Sequence, residues 1–315
     1  MVGVEEEMPV AALLQEAPAL LRLNLQLRQT IWTDLPFNQK LTHLELHNAH
    51  NTDFSPNTQG FLSSLRQMPH LQMLGLYSAL PGVDEYGALP LSLPGLQRLS
   101  LTDHTCDIGY FFQILRVPNL ATVHLVFSDF EEEEDIADEI YDALQDLQIS
   151  IGYHPEPRRT VSTVRVWDTS LELCFTPDPQ SECSLSNLII SDCSATSNDG
   201  QPPVNIHDHL ESFKPLFEFA TVNALEVEEQ NPKAIPEEAW TFLGSLPNLR
   251  VVTFNATPLG AFLDTLETKP KPFLETIPRL LTSQPFRPFD LCPWNSMKKT
   301  TKWTWRNLPL VSSRS

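Results

Sequence analysis

At 315 residues, with 41% hydrophobic and 19% charged side chains, the chain has material for a large core and is too apolar to stay disordered. Its net charge of −19 repels nucleic-acid phosphates and anionic lipid heads, so neither nucleic acid nor membrane is expected as a partner; a neutral or basic protein surface is. There is no apolar run of about eighteen residues to span a bilayer, and Met1 to Glu7 has neither the basic start nor the apolar stretch of a secretory signal, so the expected compartment is cytoplasm or nucleus.

Residues 1–17 are expected to form an N-terminal cap. From Pro18 onward a phrase P-x-L-x-x-[LV]-x-[LF] recurs, at Pro18–Leu25, Pro69–Leu76, Pro94–Leu101, Pro118–Leu125 and Pro247–Phe254. Looser copies fill the intervals: Leu41-x-x-Leu44-x-Leu46, Val161-x-x-Val164-x-Val166, Leu185-x-x-Leu188-x-Ile190 and Val222-x-x-Leu225-x-Val227. The first anchors fall at 20, 41, 71, 96, 120, 161, 185, 222 and 249. Most steps lie near the ~20–29 residues of a leucine-rich repeat. The pattern therefore predicts an α/β leucine-rich-repeat solenoid over residues 18–266: a curved parallel sheet with helices or irregular turns on the convex side. The long steps after 120 and 185 predict insertions at 128–160 and 191–215.

In a strand, alternate side chains share a face. The last two anchors of each copy, such as Leu44 and Leu46, are expected to point inward, and the residue between them, Glu45, outward. The segments between strands read as partly helical: Leu62 and Leu65, Phe112 and Leu115, and Leu243 and Leu246 are spaced by three ahead of Pro69, Pro118 and Pro247. Each proline is expected to end a helix and start the next strand.

Ser128-Asp129-Phe130-Glu131 has the form of a capping box, and Ile136, Ile140, Leu144 and Leu147 continue it as a helix. The acidic run Glu131–Asp135 suits a helix start as a solvated face, with a cation or basic-partner site as the sharper alternative. Residues 154–183 read as a strand pair with a Pro-rich loop, and Ser194–Pro203 as a loop. Residues 267–315 read as an irregular tail of changed composition: from Gln284 onward, Arg287, Lys298, Lys299, Lys302, Arg306 and Arg314 face one acid, Asp290.

Chemistry is hard to find. The 5 cysteines include no C-x-x-C pair and are expected to be buried thiols. No phosphate-binding glycine loop, nucleophile elbow or H-E-x-x-H motif occurs. His43, His47 and His50, and His207 and His209, are weak metal candidates, since histidines two apart in a strand share a face; His43, flanking strand anchors, reads instead as a concave-face residue. Trp303-Thr304-Trp305 near lysines has the form of a stacking platform, but on so acidic a chain nucleic acid is not expected. No catalytic, metal or cofactor site is predicted, and the chain is read as no enzyme. The expected contact residues are instead the outward strand positions: Arg22, His43, Glu45, Tyr77, Arg98, His124, Arg165, Trp167 and Glu226, with Asn24, Gln26, His47, Gly75, Ser100, Thr102, Thr122, Glu228, Thr253 and Asn255 beside them. Among these Tyr77, Trp167, Arg98 and Arg165 are the expected hot spots.

Gln39-Lys40-Leu41-Thr42-His43-Leu44-Glu45-Leu46, Met68–Leu76, Val222–Val227 and Phe242–Val251 resemble the leucine-rich region of mushroom-type fungal F-box proteins, over about residues 13–266. The resemblance implies a substrate-selecting surface of a ubiquitin ligase. In that family an F-box hooks onto a Skp-type adaptor, which would be a partner here only if an F-box lay upstream; no F-box phrase is visible in this chain. The alternative reading is an F-box-less remnant or structural scaffold with no ligase role.

Overall fold

The computed structural model describes residues 19–27, 39–48, 58–81, 90–128, 136–152, 158–167, 170–177, 185–192, 206–228, 235, 237–254 and 301–304. Its elements run β1 (Arg22–Leu27), β2 (His43–Asn48), α1 (Thr58–Arg66), β3 (Met73–Tyr77), β4 (Leu91–Ser92), β5 (Arg98–Asp103), α2 (Thr105–Ile114), β6 (Leu115–Arg116) and β7 (Thr122–Phe127). They continue α3 (Ile136–Ser150), β8 (Arg159–Trp167), β9 (Ser170–Phe175), β10 (Asn187–Asp192), α4 (Ile206–Phe213), β11 (Phe217–Glu218), β12 (Ala224–Glu228), α5 (Glu237–Gly244), β13 (Val251–Phe254) and β14 (Thr301–Thr304).

The recurring phrase works as a turn followed by a strand. In Met68-Pro69-His70-Leu71, Leu93-Pro94-Gly95-Leu96 and Val117-Pro118-Asn119-Leu120, the N–H of the fourth residue donates to the carbonyl of the first at 3.1 Å. Proline takes the second position of this β-turn, where its fixed φ fits. So the prolines do not end the helices, as the spacing suggested; α1 and α5 stop at Arg66 and Gly244, ahead of Pro69 and Pro247. Asparagine in the third turn position laces successive turns together: Asn119 Nδ2 donates to Pro94 O at 2.7 Å, and Asn248 Nδ2 to Ala220 O at 2.6 Å. The leucine that closes each turn is buried (Leu71 1%, Leu96 0%, Leu120 0%), and the strand opens two residues later.

The strands form one 12-stranded sheet in the order β1-β2-β3-β5-β7-β10-β9-β8-β12-β13-β14, with β11 beside β8; β4 and β6 pair separately. The inward anchors lie in register. Leu23, Leu44, Leu74, Leu99, Val123 and Leu188 form one transverse row, and Leu25, Leu46, Leu76, Leu101, Leu125 and Ile190 the next. Both rows join one continuous core with the apolar sides of the helices, Phe61, Phe112, Leu144 and Phe213 among them.

The sheet is mixed, and this corrects the expected fold. β9 runs antiparallel to both β8 and β10, and β14 antiparallel to β13. A curved, all-parallel leucine-rich-repeat solenoid is excluded. Only residues 168–169 separate β8 from β9, too few for a parallel crossover, which needs about a dozen. The chain therefore turns straight back as a hairpin, the strand pair expected in 154–183. Val161-x-x-Val164-x-Val166 is likewise not a turn and strand of a repeat. All three valines lie within β8, and a register shift between Val161 and Thr163 turns Val161 to the core side. The first insertion is built around α3 and the second around α4. The tail read as irregular contributes β14. The proposed N-terminal cap, the capping box beyond Ser128, the Ser194–Pro203 loop, His50 and Asn255 lie outside the described residues.

Candidate functional site

The sheet face opposite the core is a single surface made of three transverse rows. The central row runs Asn24, Glu45, Gly75, Ser100, His124, Ile189, Glu172, Arg165, Glu226 and Thr253. One flanking row holds Arg22, His43, Met73, Arg98, Thr122, Asn187, Cys174, Thr163 and Ala224. The other holds Gln26, His47, Tyr77, Thr102, Val126, Ser191, Ser170, Trp167 and Glu228. All nine expected contact residues lie in these rows. Two of their expected neighbours are covered rather than open, namely Gly75 and Thr253.

At the β1–β5 end, Asn24 donates its side-chain amide to the Glu45 carboxylate, and the rings of His47 and Tyr77 stack 4.1 Å apart at 3°. Burial, followed by the Glu45 charge, raises the Tyr77 phenol, while its hydrogen bond with Ser100 pulls the other way. Burial lowers the His43 imidazole, the charges of Arg22 and Arg98 lower it further, and Glu45 partly offsets them. Neighbouring strands thus bring these groups into mutual electrostatic range.

In the middle, His124 Nε2 lies 3.1 Å from Ser191 Oγ, which in turn lies 2.8 Å from Ser170 Oγ. Burial lowers the His124 imidazole. At the far end, Arg165 donates to Glu172 at 3.0 Å and to Glu226 at 2.8 Å. The hydrogen bond that Arg165 donates to Glu172 leads the rise in the Arg165 pKa, against the effect of burial. Glu172 is 8% exposed at its side chain, against 41% for Arg165 and 40% for Glu226. The guanidinium therefore shields a carboxylate that water hardly reaches.

The residues missing from the sequence reading are Ser170, Glu172, Cys174 and Ser191. Alternation of Leu171, Leu173 and Phe175 already implies that Ser170, Glu172 and Cys174 share the other face; what it does not fix is which strands β9 joins. The thiols also differ from expectation, since Cys106 is exposed and Cys174 half-buried. Burial, reinforced by the Glu172 charge, pushes Cys174 up to about 11, so it is no nucleophile near neutral pH.

A second polar cluster sits where β5 meets α2. Asp103 accepts the Leu80 N–H at 2.9 Å and the His104 N–H at 3.1 Å, and so pins the chain leaving β3. Nearby, burial and the Asp103 charge push Asp107 up to about 6. His207 and His209 stand on α4, where residues two apart diverge around the axis, so they do not share a face as strand histidines would. Among the described residues, no three His, Cys, Asp or Glu side chains are grouped to hold a metal ion, and no helix is long and apolar enough to cross a membrane.

What the face can do chemically is present hydrogen-bonding, charged and aromatic groups at fixed spacings on a rigid ladder. The chain matches no protein-family model, no curated protein and no solved structure.

Proposed function

We propose that the chain is a non-enzymatic protein-interaction module that receives a protein partner on the polar face of its sheet. The observation carrying this reading is the row from Tyr77 to Trp167. Those two aromatics stand five strand positions apart, with only Thr102, Val126, Ser191 and Ser170 between them. At about 4.8 Å per strand, that is a strip of small side chains ~24 Å wide with an aromatic residue at each end. Aromatic side chains on a rigid element bind with little loss of conformational freedom and dominate interface energetics. The resemblance of the repeated phrases to the leucine-rich region of mushroom-type F-box proteins extends the proposal: the partner would be the substrate of a ubiquitin ligase, with adaptor binding left to an F-box outside this chain.

The reading is tested by selecting displayed peptides against the full chain and remeasuring them on Tyr77→Ala and Trp167→Ala variants that keep the native far-UV spectrum. Selected peptides should lose about ten-fold or more in affinity on these variants. Peptides that bind wild type and both variants equally would remove the face from consideration. For the ligase extension, the gene product including any upstream F-box should capture a Skp-type adaptor; failure to do so removes that role alone.

A further inference from the structure

We infer that the basic end of this face, where Arg22 and Arg98 flank His43 and Met73, takes an acidic segment of the partner protein, extended across the strands with carboxylates about four residues apart. The inference rests on the docking reading above and gives the partner a chemistry.

Arg22, His43, Met73 and Arg98 occupy the same register position on β1, β2, β3 and β5. Three strand steps of about 4.8 Å separate the two arginines by ~14 Å, and an extended chain covers that distance in about four residues at ~3.4 Å each. Both arginines are exposed. Neither forms an ion pair with another described residue, whereas Arg165 on the same face is held by two glutamates. On a chain of net charge −19, two guanidiniums left open in one row stand out as places for an incoming carboxylate. Glu45, the acid in the adjoining row, is engaged by Asn24. Half-buried Met73, one strand from Arg98 and two from Arg22, offers a soft apolar seat to the residues linking the two acids. Nucleic acid could offer the same negative charge, but the chain as a whole repels it, and a protein segment fits the separation without that cost.

The test uses fluorescein-labelled peptides with two glutamates four apart around a leucine, otherwise Gly/Ser, and follows anisotropy with the full chain at low and physiological salt. Controls place the glutamates side by side, or replace them with lysine; a short oligonucleotide serves as the other polyanion. The spaced peptide should bind best and weaken with salt. Arg22→Gln and Arg98→Gln should each weaken it about ten-fold, and Lys214→Gln, beyond α4 and outside the rows of this face, should not. The inference is overturned if the spaced peptide does not bind at low salt, if the side-by-side peptide or the oligonucleotide binds as well, or if the Arg22→Gln/Arg98→Gln double variant binds like wild type. If the spaced peptide fails while selected peptides still depend on Tyr77 and Trp167, the docking face stands and only its acidic specificity falls.

Discussion

The ring of Tyr77 lies over Gly75: a Cβ added to the glycine would come within 3.0 Å of Tyr77 Cε2 and 3.3 Å of its hydroxyl. Gly75 is the central-row residue without a side chain, and that gap is what lets the ring lie down and stack on His47. Gly75→Ala should lift the ring into solvent. The methyl would also meet Glu45 Cγ at 3.1 Å; because both neighbours are side chains on the outer face that can shift, stability should change by less than about 1 kcal/mol in urea unfolding, the extra methyl being offset by the lower backbone entropy of alanine. The Tyr77 phenol, freed from burial, should titrate closer to the ordinary tyrosine range, read by NMR of its ring carbon. An unshifted Tyr77 titration would mean the ring tolerates the methyl in place.

Arg165 is expected to matter more for stability than a surface arginine does. Removing it in Arg165→Ala leaves the 8%-exposed Glu172 side chain without its cation. The cost should be about 2 kcal/mol in urea unfolding, below the usual buried-pair range because Arg165 is itself partly solvated. Glu226→Gln, at the exposed end of the same clamp, should cost less than about 0.5 kcal/mol. Equal losses for the two variants would contradict the shielding role.

Asp107 sets a pH dependence. Its carboxyl is raised from 3.8 to about 6 by burial and by the Asp103 charge, against the pull of His104. Between those values the folded protein keeps a proton that the unfolded chain has released. Stability therefore falls as pH rises through that window and stays lower above it. Asp107→Asn should match wild type near the low end of the window and melt about 2 °C higher at neutral pH, a gain kept modest by the group's partial exposure. Calorimetry at both pH values checks the crossover.

His43 reports on the two arginines. Replacing Arg22 or Arg98 with glutamine should raise its titration midpoint, because each cation disfavours the imidazolium, and Glu45→Gln should lower it further. Proton NMR of the His43 ring through the acid range gives the sign in each variant. A midpoint indifferent to both arginines would place their charges elsewhere.

The strand faces were legible because inward anchors repeat at a spacing of two: Leu44 and Leu46 predict each other and leave Glu45 outside. The sheet order was not. Leu171-Glu172-Leu173 alternates in the same way whether its neighbours run with it or against it, so the pattern cannot say that β9 lies between β10 and β8. That order depends on the short β8–β9 link and on β10 taking β9 on one side and the distant β7 on the other. The candidate site divides in the same way. Exposure of Arg165 and Glu226 followed from alternation, whereas Glu172 joining them is a product of the hairpin. Tyr77 covering Gly75 required knowing a side-chain direction that no spacing encodes.

The hairpin also sets a timetable for synthesis. β10, not β8, sits beside β7, so His124 must wait for Ser191, 67 residues further along the chain. At ~5–20 residues per second, a nascent chain emerging from the ribosome would leave the β7 edge opposite β5 unclaimed for about 3–13 seconds. Through that interval the growing protein carries a bare margin ready to template another chain, which makes the newborn polypeptide more dependent on chaperones than the finished one.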